Sequence, residues 1–374
     1  MSQSPRLRAL IDRARLSREI APFGRSNARK GIWQMVNTLV PYLALLALMV
    51  YSRLQGWPYL VTLAMAVPTA ALMMRVFIFF HDCCHDSFFA SRRANRIVGF
   101  ITGVLTFTPF DDWKYSHTKH HTSAGDLDNR GTGDVWTMTV DEYLASSRRK
   151  RLGYRLVRNP FFLLLIVPFY LSLIAYRIPR PAAGRAAVLS VVLTDLALVA
   201  IAIVAGLTFG LQNYLLVQLP VIVIAWTVGV WLFYVQHQFE DTHWSRHEEW
   251  EPLDAALCGS SYYKLPRVLQ WFTGNIGLHH IHHLRPRIPN YHLQACQDSV
   301  PALQHIQPLT LRRSLRSMAM NLWDELQQKL VSFRALKGMP RRRAPERVGR
   351  RGSSQPSTRP SSTNCSRRRL LNTM

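Results

Sequence analysis

The stretch WPYLVTLAMAVPTAALMMRVFIFFHDCCH, residues 57–85, joins a long apolar run to a pair of histidines. Residues 57–80 carry one charge, Arg75. At about 1.5 Å per helical residue they reach across the roughly 30 Å hydrocarbon layer of a bilayer. His81 and His85 follow at a spacing of four, which on a helix puts two imidazoles on one face. A membrane span therefore delivers a candidate ligand pair at its own end. Arg75 lies near that end, where its long stem is expected to snorkel to the headgroups.

Working outward, residues 32–51 (IWQMVNTLVPYLALLALMVY) form another run of spanning length, separated from the first by Ser52 to Gly56 alone. The two are expected to form a hairpin. Its connection holds only Arg53, whereas Arg6, Arg8, Arg13, Arg15, Arg18, Arg25, Arg29 and Lys30 precede it. The positive-inside rule then places the basic segment 1–31 and His81 in the cytoplasm. That segment has no apolar h-region, so no cleavable signal peptide is expected. Residues 186–236 read as a second hairpin, spans 186–210 and 212–236, with its turn at Gln212-Asn213 and Asp195 as its only charge.

The run 159–176 (NPFFLLLIVPFYLSLIAY) is long enough to cross, but Pro168 interrupts it. A single crossing would put residues 81–158 and those from 237 onward on opposite sides, although both are rich in histidine and basic residues. It is expected to be re-entrant or interfacial, and the weaker apolar stretch 97–110 interfacial. The fold class is all-α integral membrane: four transmembrane helices in two hairpins with a cytoplasmic histidine-rich di-metal cap. This domain runs over 32–337. Residues 338–374, with ten arginines from Pro340 on and Glu346 as the sole acid there, are expected to be a disordered basic tail.

The 374 residues hold 46 Lys+Arg against 22 Asp+Glu, a net charge of +24 that in a soluble protein would point to nucleic acid. Here basic and apolar residues are segregated, which favours a membrane protein with basic flanks, and no nucleic-acid partner is expected. Five cysteines with no CxxC pair exclude both a disulfide framework and a cysteine zinc site.

Of the 14 histidines, 12 fall in four short clusters beside predicted span ends. His81 and His85 are the first. His117, His120 and His121 share a helix face by offsets of three and four, as do His279, His282 and His283. His237, His243 and His247 lie between. One such pair is commonplace, but a pair followed by two HxxHH units on one membrane side is a repeated ligand pattern. Eight imidazoles, nine with His237, exceed the capacity of one ion, so two metals are implied. Nitrogen donors alone suit Zn, Cu, Fe or Ni. No HExxH is present for a metalloprotease.

HDCCHDSFF (81–89), WKYSHTKHH (113–121), WLFYVQHQFEDTHW (231–244) and NIGLHHIHHL (275–284) resemble the membrane fatty acid desaturase family, most closely its bacterial acyl-lipid omega-6 (Delta-12) branch. The likeness runs from about residue 33 to 335. It implies an O2-dependent oxidoreductase of the bacterial inner membrane. Such an enzyme leaves a cis double bond in a lipid acyl chain through a non-haem di-iron centre, two Fe ions on the cytoplasmic side. Carried over residue by residue, the iron ligands are His81, His85, His117, His120, His121, His237, His279, His282 and His283. The stearoyl-CoA type has an asparagine four residues before the extra histidine, where this chain has Phe233. No HPGG haem motif occurs, so ferredoxin or free cytochrome b5 is implied as a separate electron donor.

Ligating histidines give their second N–H to nearby acceptors, and Asp82, Asp86, Asp126, Asp128, Glu240 and Asp241 flank the boxes in that role. His280, extra to the HxxHH pattern, is left as a supporting or substrate-facing residue. Trp113, Tyr115, Trp244 and Trp250 read as an interfacial aromatic belt. Related boxes occur in membrane hydroxylases, alkane monooxygenases and carotenoid ketolases, which the boxes alone do not separate. From another class, a metal transporter would need polar ligands within the spans, and only Asp195 and Arg75 lie there.

Overall fold

The computed structural model describes residues 12–338, so the expected basic tail and residues 1–11 lie outside it. Four helices are long and apolar enough to span a membrane: α1 (Ala28–Leu54), α2 (Tyr59–Cys84), α5 (Arg185–Phe209) and α6 (Leu211–His237). Between the hairpins lie α3 (Arg92–Leu105) and α4 (Phe110–Ser123). After them come α7 (His279–Leu284) and α8 (Asn290–Ser299).

Each hairpin has a local cause. Asn27 caps α1 by accepting from the Lys30 amide at 3.1 Å, and Ser52 meets Thr62 at 3.2 Å across the first hairpin. Such a bond between spans is worth about 0.6 kcal/mol. The second hairpin turns at Gly210, with φ of +89°, and not at Gln212-Asn213. Glycine reaches that left-handed backbone without strain. Asn213 instead donates to the Phe209 carbonyl at 2.8 Å, closing the end of α5. Along α5, Leu189, Leu196, Val199, Ile203 and Leu207 are exposed at helical spacing, a stripe that faces lipid.

α2 is the most enclosed span. It packs against α1 and α6 through Tyr42, Met49, Ala66, Ala70, Met73, Val217 and Val221. Arg75 does not snorkel. It is buried, its Nε donating to Thr38 at 3.0 Å, its guanidinium 4.0 Å over the Trp271 ring and bonded to the Trp271 carbonyl. An enclosed helix offers no route to headgroups, so the charge is met by dipoles and an aromatic face.

Residues 97–110 are divided between two elements. α3 begins at Arg92, ends at Leu105, and a turn through Phe107 leads into α4. On α3, Asn95, Gly99 and Gly103 face inward while Ile97 and Ile101 are exposed. The 159–176 segment is helical but bent by 65° from the preceding helix Arg148–Val157. The histidines of α2 and α4 meet those of α6 and α7, so an even number of crossings separates them. α5 and α6 supply two, the count expected where the bent segment does not cross.

Short strands tie down the cap. Tyr262–Lys264 pairs in parallel with Pro308–Thr310, and Leu322–Asp324 joins Met138–Thr139 and Lys329–Val331. The basic N-terminal segment is also structured: the helix Arg13–Ile20 buries Leu16 and Ile20 against Leu278 and Ile281 beneath the last histidine cluster.

Candidate metal centre

α2 ends at the first box. His81 lies in its last turn and His85 is its cap residue, so the pair projects from the end of the span. Pro109 opens α4, with Asp111 and Asp112 in its first turn, where carboxylates suit the helix dipole. Asp112 is clamped by Arg180 at 2.6 and 2.9 Å. α4 thereby presents His117, His120 and His121 to α2. α6 ends on His237. α7 is set by close backbone approach: Tyr263 donates to the Gly277 carbonyl at 2.6 Å, and a Cβ on Gly277 would lie 2.3 Å from the Tyr263 oxygen.

These elements bring all nine sequence-predicted ligands together. His81, His85, His117 and His282 form one set able to hold a metal ion, and His120, His237, His279 and His283 a second; the donor atoms within each set lie within 4.8 Å of one another. His121 stands between them. Its Nε2 is 3.1 Å from that of His117 and 2.9 Å from that of His282, while its ring stacks on His283 with centroids 4.2 Å apart. Nε2 of His237 lies 3.0 Å from those of both His120 and His279.

The nitrogens fit a cation. His120 points Nδ1 at Asp134, 2.5 Å away, and His81 points Nδ1 at Asp82, 3.2 Å away. With the proton on Nδ1, Nε2 carries a lone pair. Where both facing Nε2 atoms carry lone pairs at about 3 Å, a metal satisfies them and a hydrogen bond does not. His85 Nε2 is buried with no hydrogen-bond partner at all. Burial first, then the neighbouring imidazoles, push His85, His117, His121, His279, His282 and His283 well below the usual histidine range. The shift favours the neutral imidazole, the form that ligates.

Of the expected supporting acids, Asp82 alone touches a cluster histidine. Its other oxygen accepts from the Asn290 backbone and side chain at 2.7 and 2.9 Å. Asp86 pairs with Lys114, Asp126 with His247 and Asn129, Asp128 with Arg246, and both Glu240 and Asp241 with Arg313. Nearness in sequence misleads here, because successive side chains leave a helix or its end in different directions. His280 points away from the cluster to Gln297, 3.0 Å distant, and burial lowers its pKa to about 4. Asp134, Asn290 and Trp113 were not marked as supporting residues by the sequence. A glycine-flanked acid, GTGD at 131–134, was the one local signal for Asp134.

Nor do the tryptophans form a belt. Trp113 stacks on His117 with centroids 4.1 Å apart, Trp244 is buried, and Trp250 donates to the Ala124 carbonyl at 3.0 Å. Phe233 lies against the second set, 5.1 Å from the His120 ring and 5.3 Å from that of His237.

A four-span helical protein with a buried double histidine cluster at one end of its spans belongs to the class of membrane metalloenzymes. The chain is a member of the fatty acid desaturase family, whose model, described as "Fatty acid desaturase", matches residues 55–312. It is 47% identical over 325 residues to a fatty acid desaturase of Bacillus subtilis (strain 168), covering 87% of this chain and 92% of that one. An omega-6 fatty acid desaturase, chloroplastic, of Arabidopsis thaliana is 24% identical over 258 residues, 65% of this chain and 53% of the plant protein. An sn-2 acyl-lipid omega-3 desaturase (ferredoxin), chloroplastic, of Helianthus annuus is 27% identical over 248 residues, 61% and 53% of the two chains. The chain spans about half the length of these plant relatives. Membership makes it an oxidoreductase of a metal-dependent family that acts on lipid acyl chains with an electron donor.

Proposed function

We propose that the chain places a cis double bond at the omega-6 (Delta-12) position of acyl chains in membrane lipids, using O2. Ferredoxin or cytochrome b5 supplies the electrons. The metal pair is two iron ions, held by His81, His85, His117, His121 and His282 on one side and His120, His237, His279 and His283 on the other. The observation that carries this reading is the division of the boxes into two adjoining imidazole sets. His121 joins the first because its Nε2 approaches His117 and His282. The plant relative named for omega-6 supports the position, and the one named for ferredoxin, itself an omega-3 desaturase, supports the donor. The basic flanks of the first hairpin support a cytoplasmic face in a bacterial inner membrane.

The overall balance is one CH2–CH2 unit plus O2, two electrons and two protons giving CH=CH and two waters. Bound iron supplies O2 activation and hydrogen abstraction from an unactivated methylene. The chain supplies the rest. Asp134 and Asp82 orient His120 and His81 and keep their protons on Nδ1. Trp113 and Phe233 wall the cluster with apolar rings that keep water from it.

The test is the fatty acid profile, with double bonds located by gas chromatography, of a bacterial host making monounsaturated lipids and a competent ferredoxin system. A diene with a new Delta-12 bond, absent with His120→Ala, is expected. Hydroxylated chains would move the chain to the hydroxylases, and an unsaturation elsewhere would sink the Delta-12 assignment.

A further inference from the structure

The helix Arg148–Val157 has a composition unlike its surroundings, RRKRLGYRLV, and a face left exposed among the described residues. Arg148, Arg149 and Lys150 are exposed in its first turn, and Leu152 and Leu156 are exposed at 70% and 51% one turn apart. Cations in the first turn oppose the helix dipole, so something outside the helix must repay their placement there. Glu142, just before the helix, is taken by Arg130. The helix is anchored by Tyr154, whose hydroxyl reaches the Asn321 carbonyl, and by Arg155, which donates to the Tyr143 hydroxyl at 2.6 Å.

The apolar edge does not stop at Leu156. Phe161 is 69% exposed, and the bent segment it opens carries further exposed apolar side chains as far as Ile178. Read as non-crossing, that segment lies along the lipid on the side of the histidine cluster. The basic turn is therefore held at headgroup height with a leucine pair and a phenylalanine directed into acyl chains. We infer that Arg148, Arg149 and Lys150, with Leu152, Leu156 and Phe161, form a binding surface for anionic phospholipid headgroups, beside the end of the spans where the histidines meet. Charge complementarity and continuity with the lipid-facing surface favour lipid over an acidic protein, which would not require the apolar edge. The inference rests on the membrane fold and is independent of the double-bond position.

The test uses the full-length protein in neutral detergent micelles, titrated with fluorescent short-chain phosphatidylglycerol and, separately, phosphatidylcholine. The wild type should bind phosphatidylglycerol more tightly, with an affinity that falls with added salt. Replacing Arg148, Arg149 and Lys150 together by Gln should weaken phosphatidylglycerol binding about ten- to hundred-fold, and replacing all three by charge-retaining residues (Arg148→Lys, Arg149→Lys, Lys150→Arg) should restore it. Metal content and thermal midpoint, unchanged in all variants, show that the fold is intact. Equal affinity for both lipids, or an undiminished preference in the glutamine variant, overturns the proposal. So does loss of binding to a reduced acidic ferredoxin in that variant while its lipid preference persists, since the surface would then belong to a protein.

Discussion

Nδ1 of His120 lies 2.5 Å from Oδ1 of Asp134, and that carboxylate is buried on a loop that also bonds it to the Gly131 amide. A buried acid held by its own loop fixes both the orientation and the tautomer of the ring it faces. Asp134→Asn should lower metal affinity about 10- to 100-fold, measured as iron per protein after dialysis against a graded chelator. Asp126→Asn, in a carboxylate that serves His247, should leave the metal in place. Equal loss in both would show that Asp134 has no special hold on the cluster.

Asn290 gives both its backbone and side-chain N–H to Asp82, and takes a bond from Gln34 at 2.9 Å. It joins α1, α2 and α8 at one buried carboxylate. Asn290→Leu leaves that charge short of a donor and should cost about 1–3 kcal/mol, read as a lowered thermal midpoint. Asp82→Asn combined with Asn290→Leu should cost less than the sum of the single changes.

His280 and His283 stand three residues apart yet face different neighbours, Gln297 and the second imidazole set. His283→Gln should empty the second site, giving about half the wild-type iron on elemental analysis or less if the sites fill together. His280→Gln should retain full iron with a modest loss of stability. Iron loss from His280→Gln would mean that the side chain turns into the cluster.

Gly277 leaves no room for a methyl group, whereas Gly153 meets nothing within 4 Å. Gly277→Ala must push Tyr263 from α7, costing about 1–3 kcal/mol and misplacing His279. Gly153→Ala, in a helix interior with open space, should instead stabilise by about 0.5–1 kcal/mol. Thermal unfolding of the two variants should therefore move in opposite directions.

Much of this arrangement was legible beforehand. Residues 57–80 and 32–51 marked the first hairpin within a few residues of α2 and α1, because twenty or so apolar residues between basic flanks permit little else. Eight of the histidines were legible from i, i+3 and i+4 spacing, and His237 from the family resemblance. Arg75 was misread because exposure of a residue on a span depends on its neighbours. Trp113 was misread for the same reason: a tryptophan near a span end suits an interface, and only packing shows it flat against His117.

Periodicity along one element determined the spans, their pairing into hairpins and the faces on which histidines gather. It could not determine which faces meet. His121 approaches His282 across 161 positions of sequence, and Asn290 reaches Asp82 across 208. Such contacts follow from how α2, α4, α6 and α7 pack. The division of the imidazoles into two sets, the acids that orient them and the acids that do not were therefore decided by tertiary structure.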